Sequence, residues 1–471
     1  MSAQAREQAP AQGEGRGGSE AASGKGGLLL LPLATSTLLN PINTTVISVA
    51  LIPIGKEFGA RTDRTVWLVS GLYLASAIGQ PVLGLLVDRL GARRTLVYGS
   101  LITLVAGLVA LLPVSFGWLV GVRLAIGIGT SAGFPAAMAV LRRQQESEGL
   151  DPGGARRALA VLAVCSQAVA AVGPTLGGLL ILCFGWQAVF VVNAPLAALV
   201  LILTLALVPR ESPDAGERQP ADVAGVALFC VALLAVMLLL SDPTLGLLWL
   251  LAPAAAACAA LVRVERRAVV PFLRLGPAAT VRPILRTYLR QTLVFVPLYA
   301  TVFGYVQWLE TTRHLGDTAA GLVLLPLSGT AMLLSSLPLR GRARPRLALS
   351  AVLLVLGTAM LFVLGSATPW AVLLIVGVVF GAVQGLVSLA NQNVLYRQAA
   401  PGTIGTASGL YRTAQFLGAI AASTLIGICF RDGATSHALH TLALVLAVFA
   451  IATLLVTLPD RAIDAESPSQ G

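Results

Sequence analysis

Charge is what this sequence has least of. Of 471 residues only 11% are Asp, Glu, Lys or Arg, while 56% are hydrophobic and the mean hydropathy is +0.84. A soluble globular domain carries about a quarter of its residues as charges, so that class is excluded. Histidine is scarcer still. His314, His437 and His440 stand at the expected outer edges of apolar runs, too dispersed for a catalytic constellation. Cys165, Cys183, Cys230, Cys258 and Cys429 are scattered through apolar runs with no C-x-x-C pair. Neither a metal site nor a disulfide framework is expected from them, and no cofactor. No P-loop, H-E-x-x-H or G-x-S-x-G string occurs, which argues against direct ATP coupling and against the hydrolytic chemistries those strings carry. The chain is not expected to be an enzyme.

What is present is a succession of apolar runs. They fall at about 27–54, 66–87, 95–115, 117–140, 158–183, 187–208, 223–241, 245–262, 290–310, 318–338, 347–366, 369–391, 404–430 and 438–458. Each approaches the roughly 20 residues a helix needs to cross a bilayer. The expected fold is an all-α polytopic membrane protein of about 14 transmembrane helices. Residues 1–26, rich in Gly, Ala, Ser and Gln with both charge signs, read as a disordered tail. No short apolar core with a small-residue cleavage site follows them, so no signal peptide is expected.

The formal net charge of +11 raises the question of nucleic acid, and the placement of the charges answers it. They lie in short links between apolar runs. With the N-terminus inside, 25 Lys and Arg fall in the tails and links of the inner side. Five (Lys56, Arg61, Arg64, Arg313 and Arg431) fall outside, and Arg123 and Arg412 lie within spans. Such asymmetry sets orientation and places both tails in the cytoplasm. The link at 263–289 is the most basic, with Arg263, Arg266, Arg267, Arg274, Arg282 and Arg286, and reads as a strip beside anionic lipid. It divides the chain into a six-helix bundle at 27–208, two additional spans at 209–262, a second six-helix bundle at 290–458 and a cytoplasmic tail at 459–471.

Between the second and third runs stands Gly84-Leu85-Leu86-Val87-Asp88-Arg89-Leu90-Gly91-Ala92-Arg93-Arg94. Gly84 and Asp88 share a helix face, Gly91 permits a tight turn, and Asp88 is an anion among Arg89, Arg93 and Arg94. This string resembles the signature loop of the major facilitator superfamily. Three further stretches carry the resemblance. Span 1 holds Asn40, Pro41, Asn43, Thr44 and Pro53 and is similar to the first span of the fourteen-span drug:proton antiporter branch, with Asn43 where that branch has an acid. Span 4 carries Arg123-Leu124-Ala125-Ile126-Gly127-Ile128-Gly129, with Ile126 where the superfamily pattern has Gln. Span 5 carries Gly173-Pro174-Thr175-Leu176-Gly177-Gly178, which resembles the antiporter signature and implies export.

The residues themselves point the same way. Polar side chains inside an apolar span are costly unless they face the bundle interior. Asn40, Asn43, Thr44, Arg123, Tyr305, Gln307, Arg412 and Gln415 are therefore the expected cavity and transport residues, with Tyr305 and Trp308 able to stack on a flat or cationic substrate. Gly84, Asp88, Arg89, Gly91, Arg93, Arg94, Gly173, Pro174, Gly177 and Gly178 are the expected gating elements. The resemblance implies that Asp88 lies beside the start of span 13, around 403–409, when the inner side is closed. The link Arg340-Gly341-Arg342-Ala343-Arg344-Pro345-Arg346 sits where a second copy of the signature would fall, without its Asp. Asn43 cannot titrate, which leaves Glu310 as the candidate proton carrier, one turn beyond Gln307 and three residues before Arg313.

The reading that results is a secondary efflux transporter of small amphipathic molecules in the plasma membrane. It is monomeric, driven by protons, surrounded by lipid, and works by rocking two bundles about a central site. A uniporter or importer, and a transporter-shaped sensor without flux, are the competing readings. A membrane-embedded enzyme is opposed by the missing motifs and the missing paired carboxylates.

Overall fold

The computed structural model describes residues 16–60, 62–65, 67–112, 115–147, 152–210, 223–241, 249, 251–265, 267, 278–315, 322–337, 342–400 and 402–464. Among these the regular structure is helical throughout, with no strand. The longer helices are α1 (Arg16–Val46), α2 (Trp67–Leu90), α3 (Ala92–Val109), α4 (Phe116–Thr130), α5 (Gly133–Ser147), α6 (Pro152–Phe184), α7 (Asn193–Leu207), α8 (Val223–Ser241) and α9 (Leu251–Glu265). The second part of the chain supplies α10 (Ala278–Ala300), α11 (Val306–Thr312), α12 (Leu325–Ser336), α13 (Ala343–Met360), α14 (Trp370–Gln398), α15 (Ile404–Cys429) and α16 (Ser436–Thr457). Nine helices among the described residues are long and apolar enough to cross a bilayer.

The burial pattern is that of a protein surrounded by lipid. On α3 the outward face is Tyr98, Leu101, Ile102, Val105 and Leu108, all exposed. The inward face is Ala92, Thr95, Leu96, Gly99, Ser100, Thr103, Ala106 and Gly107, mostly small or hydroxylated. Large apolar groups need no burial where the solvent is hydrocarbon, and small residues let helix backbones approach. α16 repeats this with Leu444, Val448, Ile451 and Leu455 outward.

Two groups of helices form, α1–α7 and α10–α16. In the first, α1 packs on α6, α2 on α4, and α3 on α7; in the second, α12 packs on α14, α10 on α15, and α13 on α16. Each has its own apolar core, around Ile47, Leu72, Ile126 and Phe190 in one and around Val296, Trp308, Leu354 and Phe380 in the other. The groups meet along two seams, α2 against α15 and α6 against α12. The additional helix α8 lies on the first seam, where its Leu233 and Met237 pack with Tyr73 and Ala77 of α2 and Phe416 and Ile420 of α15.

Several boundaries differ from those read in the sequence. α1 begins at Arg16, inside the stretch expected to be a disordered tail; residues 1–15 lie outside the described residues. α10 begins at Ala278, inside the link expected to run to 289. Extending an existing helix needs no new nucleus, so helices run on past their apolar cores. The fourth span is two helices, broken at 131–132. The ninth is interrupted by a π-helical turn, Thr301–Tyr305, between α10 and α11.

The second half is closed by the end of the chain. Asp460 is fully buried and accepts from Arg290 Nη1 at 3.2 Å and Arg286 Nη1 at 3.3 Å. Arg290 also donates from Nε to Asn391 Oδ1 at 2.8 Å. Asp464 Oδ1 accepts the backbone N–H groups of Ala343 and Arg344. A carboxylate thus sits on the first turn of α13, in the link whose own sequence lacks an Asp.

Candidate functional site

The site is built on the crossing of α2 and α15. Gly84 of α2 faces Gly405 of α15 so closely that a methyl on either would run into the other's carbonyl oxygen, and Gly409 abuts the Gln80 backbone in the same way. That approach brings the last turn of α2 to the first turn of α15. Asp88 Oδ1 accepts the Gly405 N–H at 2.7 Å; Oδ2 accepts the Thr406 N–H and hydroxyl, each at 2.7 Å. The first turn of a helix has unpaired N–H groups and roughly half a positive charge, so a carboxylate satisfies both at once. Gly91 then ends α2 at φ +89°, a conformation open to glycine, and α3 starts.

A second charged side chain reaches across at the same end. Arg142 of α5 donates from Nη1 to the carbonyl oxygens of Tyr396 and Ala399, both at 3.0 Å, and its guanidinium lies 5.6 Å from the Tyr396 ring centre. These carbonyls belong to the last turn of α14, where a cation is favoured. Arg93 instead caps its own half, donating to the Leu205 carbonyl at the end of α7 at 2.8 Å. Arg89 is partly buried and Arg94 is exposed.

Deeper in the first half Arg123 is 1% exposed. Its Nε donates to the Leu68 carbonyl at 2.9 Å, Nη1 to Asn43 Oδ1 at 3.2 Å, and Nη2 to the Asn43 carbonyl at 2.9 Å. Asn43 in turn donates from Nδ2 to Asn193 Oδ1 at 2.5 Å and to the Leu39 carbonyl at 2.8 Å. One guanidinium and two carboxamides therefore join α1, α2, α4 and α7. Each of the three nitrogens of the fork donates to an oxygen, which an ammonium on a flexible stem cannot reproduce.

Between the halves lies a small cavity of about 20 Å³, lined by Thr37, Asn40, Gln80, Thr130, Phe134 and Arg412 among others. Asn40 donates from Nδ2 to Ser76 Oγ at 2.9 Å and Thr130 Oγ1 at 3.3 Å. The Arg412 guanidinium sits 4.1 Å from the Phe134 ring centre, a cation–π contact across the seam. Its Nη1 donates to Gln415 Oε1 at 3.1 Å, and Gln415 Nε2 donates to the Tyr299 hydroxyl at 3.2 Å. Arg412 Nε and Gln80 Oε1 are buried without a hydrogen-bond partner.

The structure thus brings together Asn40, Arg412 and Gln415 at the seam, and Asn43 with Arg123 nearby. It places the others elsewhere. The Thr44 hydroxyl is satisfied within α1 by the Pro41 carbonyl at 2.8 Å. Tyr305 lies in the core of the second half, stacked on Trp308 at 5.8 Å, with its hydroxyl on the Leu373 carbonyl. Both rings are 1% exposed or less, so in this conformation they stack on each other. Gln307 is exposed and Glu310 partly buried. Arg313 donates to the carbonyls of Ser366 and Thr368 and lies 5.6 Å from the Trp370 ring centre. In the span-5 string, Gly173 faces Thr45 and Gly177 faces Val46 of α1 and Val49 of the turn that follows it, while Gly178 faces open space; Pro174 lies within the continuous helix α6.

Sequence reasoning passed over Arg142, Phe134 and Thr130. Arg142 looks like any inner-side arginine, and its partners lie 254 and 257 residues away. Thr130 and Phe134 were legible only by following the Arg123 face of the span about two and three turns further.

Comparison with known proteins bears on this arrangement. The sequence profile described as Major Facilitator Superfamily matches residues 33–423. The chain is 31% identical over 451 residues to the uncharacterized MFS-type transporter YwoD of Bacillus subtilis, covering 91% of this chain and 96% of that one. It is 28% identical over 414 residues to the multidrug efflux pump LfrA of Mycolicibacterium smegmatis, covering 85% and 80%. Among solved structures, the proton:xylose symporter XylE superposes with a TM-score of 0.63 at 15% identity, covering 92% of this chain and 96% of that one; the likeness is one of fold.

Proposed function

The chain belongs to the Major Facilitator Superfamily, and on that footing we propose that it is a secondary active exporter of small amphipathic molecules, working by proton antiport. It is a multi-span membrane transporter; the finer reading is fourteen spans in the plasma membrane, both termini cytoplasmic, acting as a monomer. The observation that carries the proposal is the contact of Asp88 with the first turn of α15. It joins the two halves at one end through a few polar contacts, beside a polar cavity in the same seam. Such contacts can be broken and remade as rigid halves rock, which is alternating access. The inner-side excess of arginine supports an orientation with the Asp88 end at the cytoplasm, and in that orientation this conformation is closed on the inside. The likeness to LfrA, described as a multidrug efflux pump, supports export over import.

Proton coupling rests on less. Asn43 occupies the position of the acid in the related branch, and Glu310 is the proposed carrier. Asn43 is also the specific observation in favour of a second reading, facilitated uniport. Everted vesicles energised by respiration distinguish them. Uptake of a fluorescent amphiphile that stops when nigericin collapses the pH gradient, and persists when valinomycin collapses the voltage, supports antiport. Uptake indifferent to both supports uniport, and no uptake above vesicles lacking the protein defeats the transport reading.

A further inference from the structure

Among the described residues two arginines are buried, Arg123 and Arg290, and a third, Arg412, is partly buried at the seam; they are not equivalent. Arg290 is neutralised by the Asp460 carboxylate. Arg123 has each arm of its fork on an oxygen of α1 or α2. Arg412 is different. Its Nη1 donates to Gln415, its flat face rests on Phe134, and its Nε donor is buried with no acceptor.

Among the described residues that line the seam cavity, Arg412 carries a charge and none is a carboxylate. On the facing wall Gln80, 3% exposed, buries an unpartnered carboxamide oxygen. Asn40 and the Thr130 hydroxyl stand beside it. A partly buried cation whose Nε donor is buried and unpaired, opposite polar side chains of the other half, has no anion beside it among the described residues. Gln415, itself anchored on the Tyr299 hydroxyl, holds the guanidinium from behind, and Phe134 and Pro41 give the same cavity apolar walls.

We propose that the transported molecule carries an acidic group, a carboxylate, sulfonate or phosphate on an apolar scaffold, which Arg412 takes in this cavity. The planar fork matches such groups in geometry and charge. The proposal rests on the transport reading above and names its substrate class. In the described conformation the cavity, about 20 Å³, holds no more than a water-sized group, so the acidic group enters when the halves part. A cationic amphiphile meets an uncompensated positive charge there.

The test uses the full-length protein in detergent micelles and three probes on one scaffold: naphthylacetate, naphthylacetamide and a naphthylmethyl-trimethylammonium salt. Wild type is expected to bind the carboxylate about tenfold more tightly than the other two, and R412Q is expected to bring the three affinities together. Equal or reversed preference in wild type overturns the proposal, as does a preference that survives in R412Q. If R412Q is not recovered as a monodisperse protein, R412K decides. It keeps the charge and loses the fork, so it weakens naphthylacetate more than naphthylacetamide; equal weakening overturns the proposal. Proteoliposome flux separates this from the exporter reading. Movement of the ammonium probe in preference to the carboxylate keeps the transporter and sinks the acidic substrate. Carboxylate-selective binding without movement of any probe keeps the site and sinks the transporter.

Discussion

Asp88 and Arg142 grip one turn of the second half from its two sides. Arg142 holds the carbonyls of Tyr396 and Ala399 at the end of α14, and Asp88 holds the amides of Gly405 and Thr406 at the start of α15. Each charge has the sign its helix end favours. The two halves are thereby fastened through backbone groups that every sequence possesses, which is why neither partner can be found by looking for an opposite charge.

Replacing Asp88 with Asn removes the charge and turns one of two accepting oxygens into a donor facing a donor. Transport is expected to fall about five- to hundredfold at matched membrane level, the penalty for one unmatched group at such a contact being roughly 1–3 kcal/mol. Insertion stays intact, because no apolar contact is lost. Normal flux by D88N would remove the latch from the mechanism.

Arg142→Ala should weaken the same closure, and the two substitutions should not add. Side chains acting on one element couple by roughly 0.5–3 kcal/mol. The readout is labelling of a cysteine placed at Gln80 by an impermeant maleimide applied to everted vesicles. Single variants should each raise the rate, and D88N with R142A should raise it by less than the product of the two. Strict multiplication would mean the contacts are independent.

Arg123→Lys should fail to support transport despite keeping the charge. The guanidinium serves Leu68 and both oxygens of Asn43 at once; an ammonium has no fixed fork. Thermal stability in detergent should fall along with flux. Wild-type flux in R123K would show that charge alone suffices.

The glycines of the span-5 string should separate by face. A methyl at Gly173 or Gly177 meets α1, whereas Gly178 has nothing within 4 Å. G173A and G177A are expected to impair flux and lower stability. G178A should lie within about 0.5 kcal/mol of wild type, as surface substitutions do. Equal effects at all three would mean the string acts through helix propensity and not through packing.

How far the sequence could be read follows from the range over which each signal acts. Asp88 and Gly84 announce themselves because turn, close approach and charge fall within eleven consecutive residues. Arg123 announces itself because a guanidinium in an apolar run demands oxygen, though the run does not say which. Tyr305 was legible as an aromatic near a span end, but its burial against Trp308 depends on how α11 turns after the π-helical stretch, which no local spacing encodes. Arg142 and Asp460 lay in hydrophilic links, where charged residues are ordinary, and only the folded arrangement distinguishes them.

The clasp at the end of the chain sets an order on biosynthesis. Arg290 and Asp460 are 170 residues apart. At roughly 5–20 residues per second, the ribosome delivers the carboxylate about ten to thirty seconds after the guanidinium. Through that interval the nascent second half holds Arg290 without its counter-ion, inside helices that are already made. A ribosome stalled in α16, or a message truncated before codon 460, leaves the intermediate in that condition indefinitely. A chain without Asp460 keeps the buried Arg290 guanidinium with no carboxylate to neutralise it, a cost that falls on the folded second half.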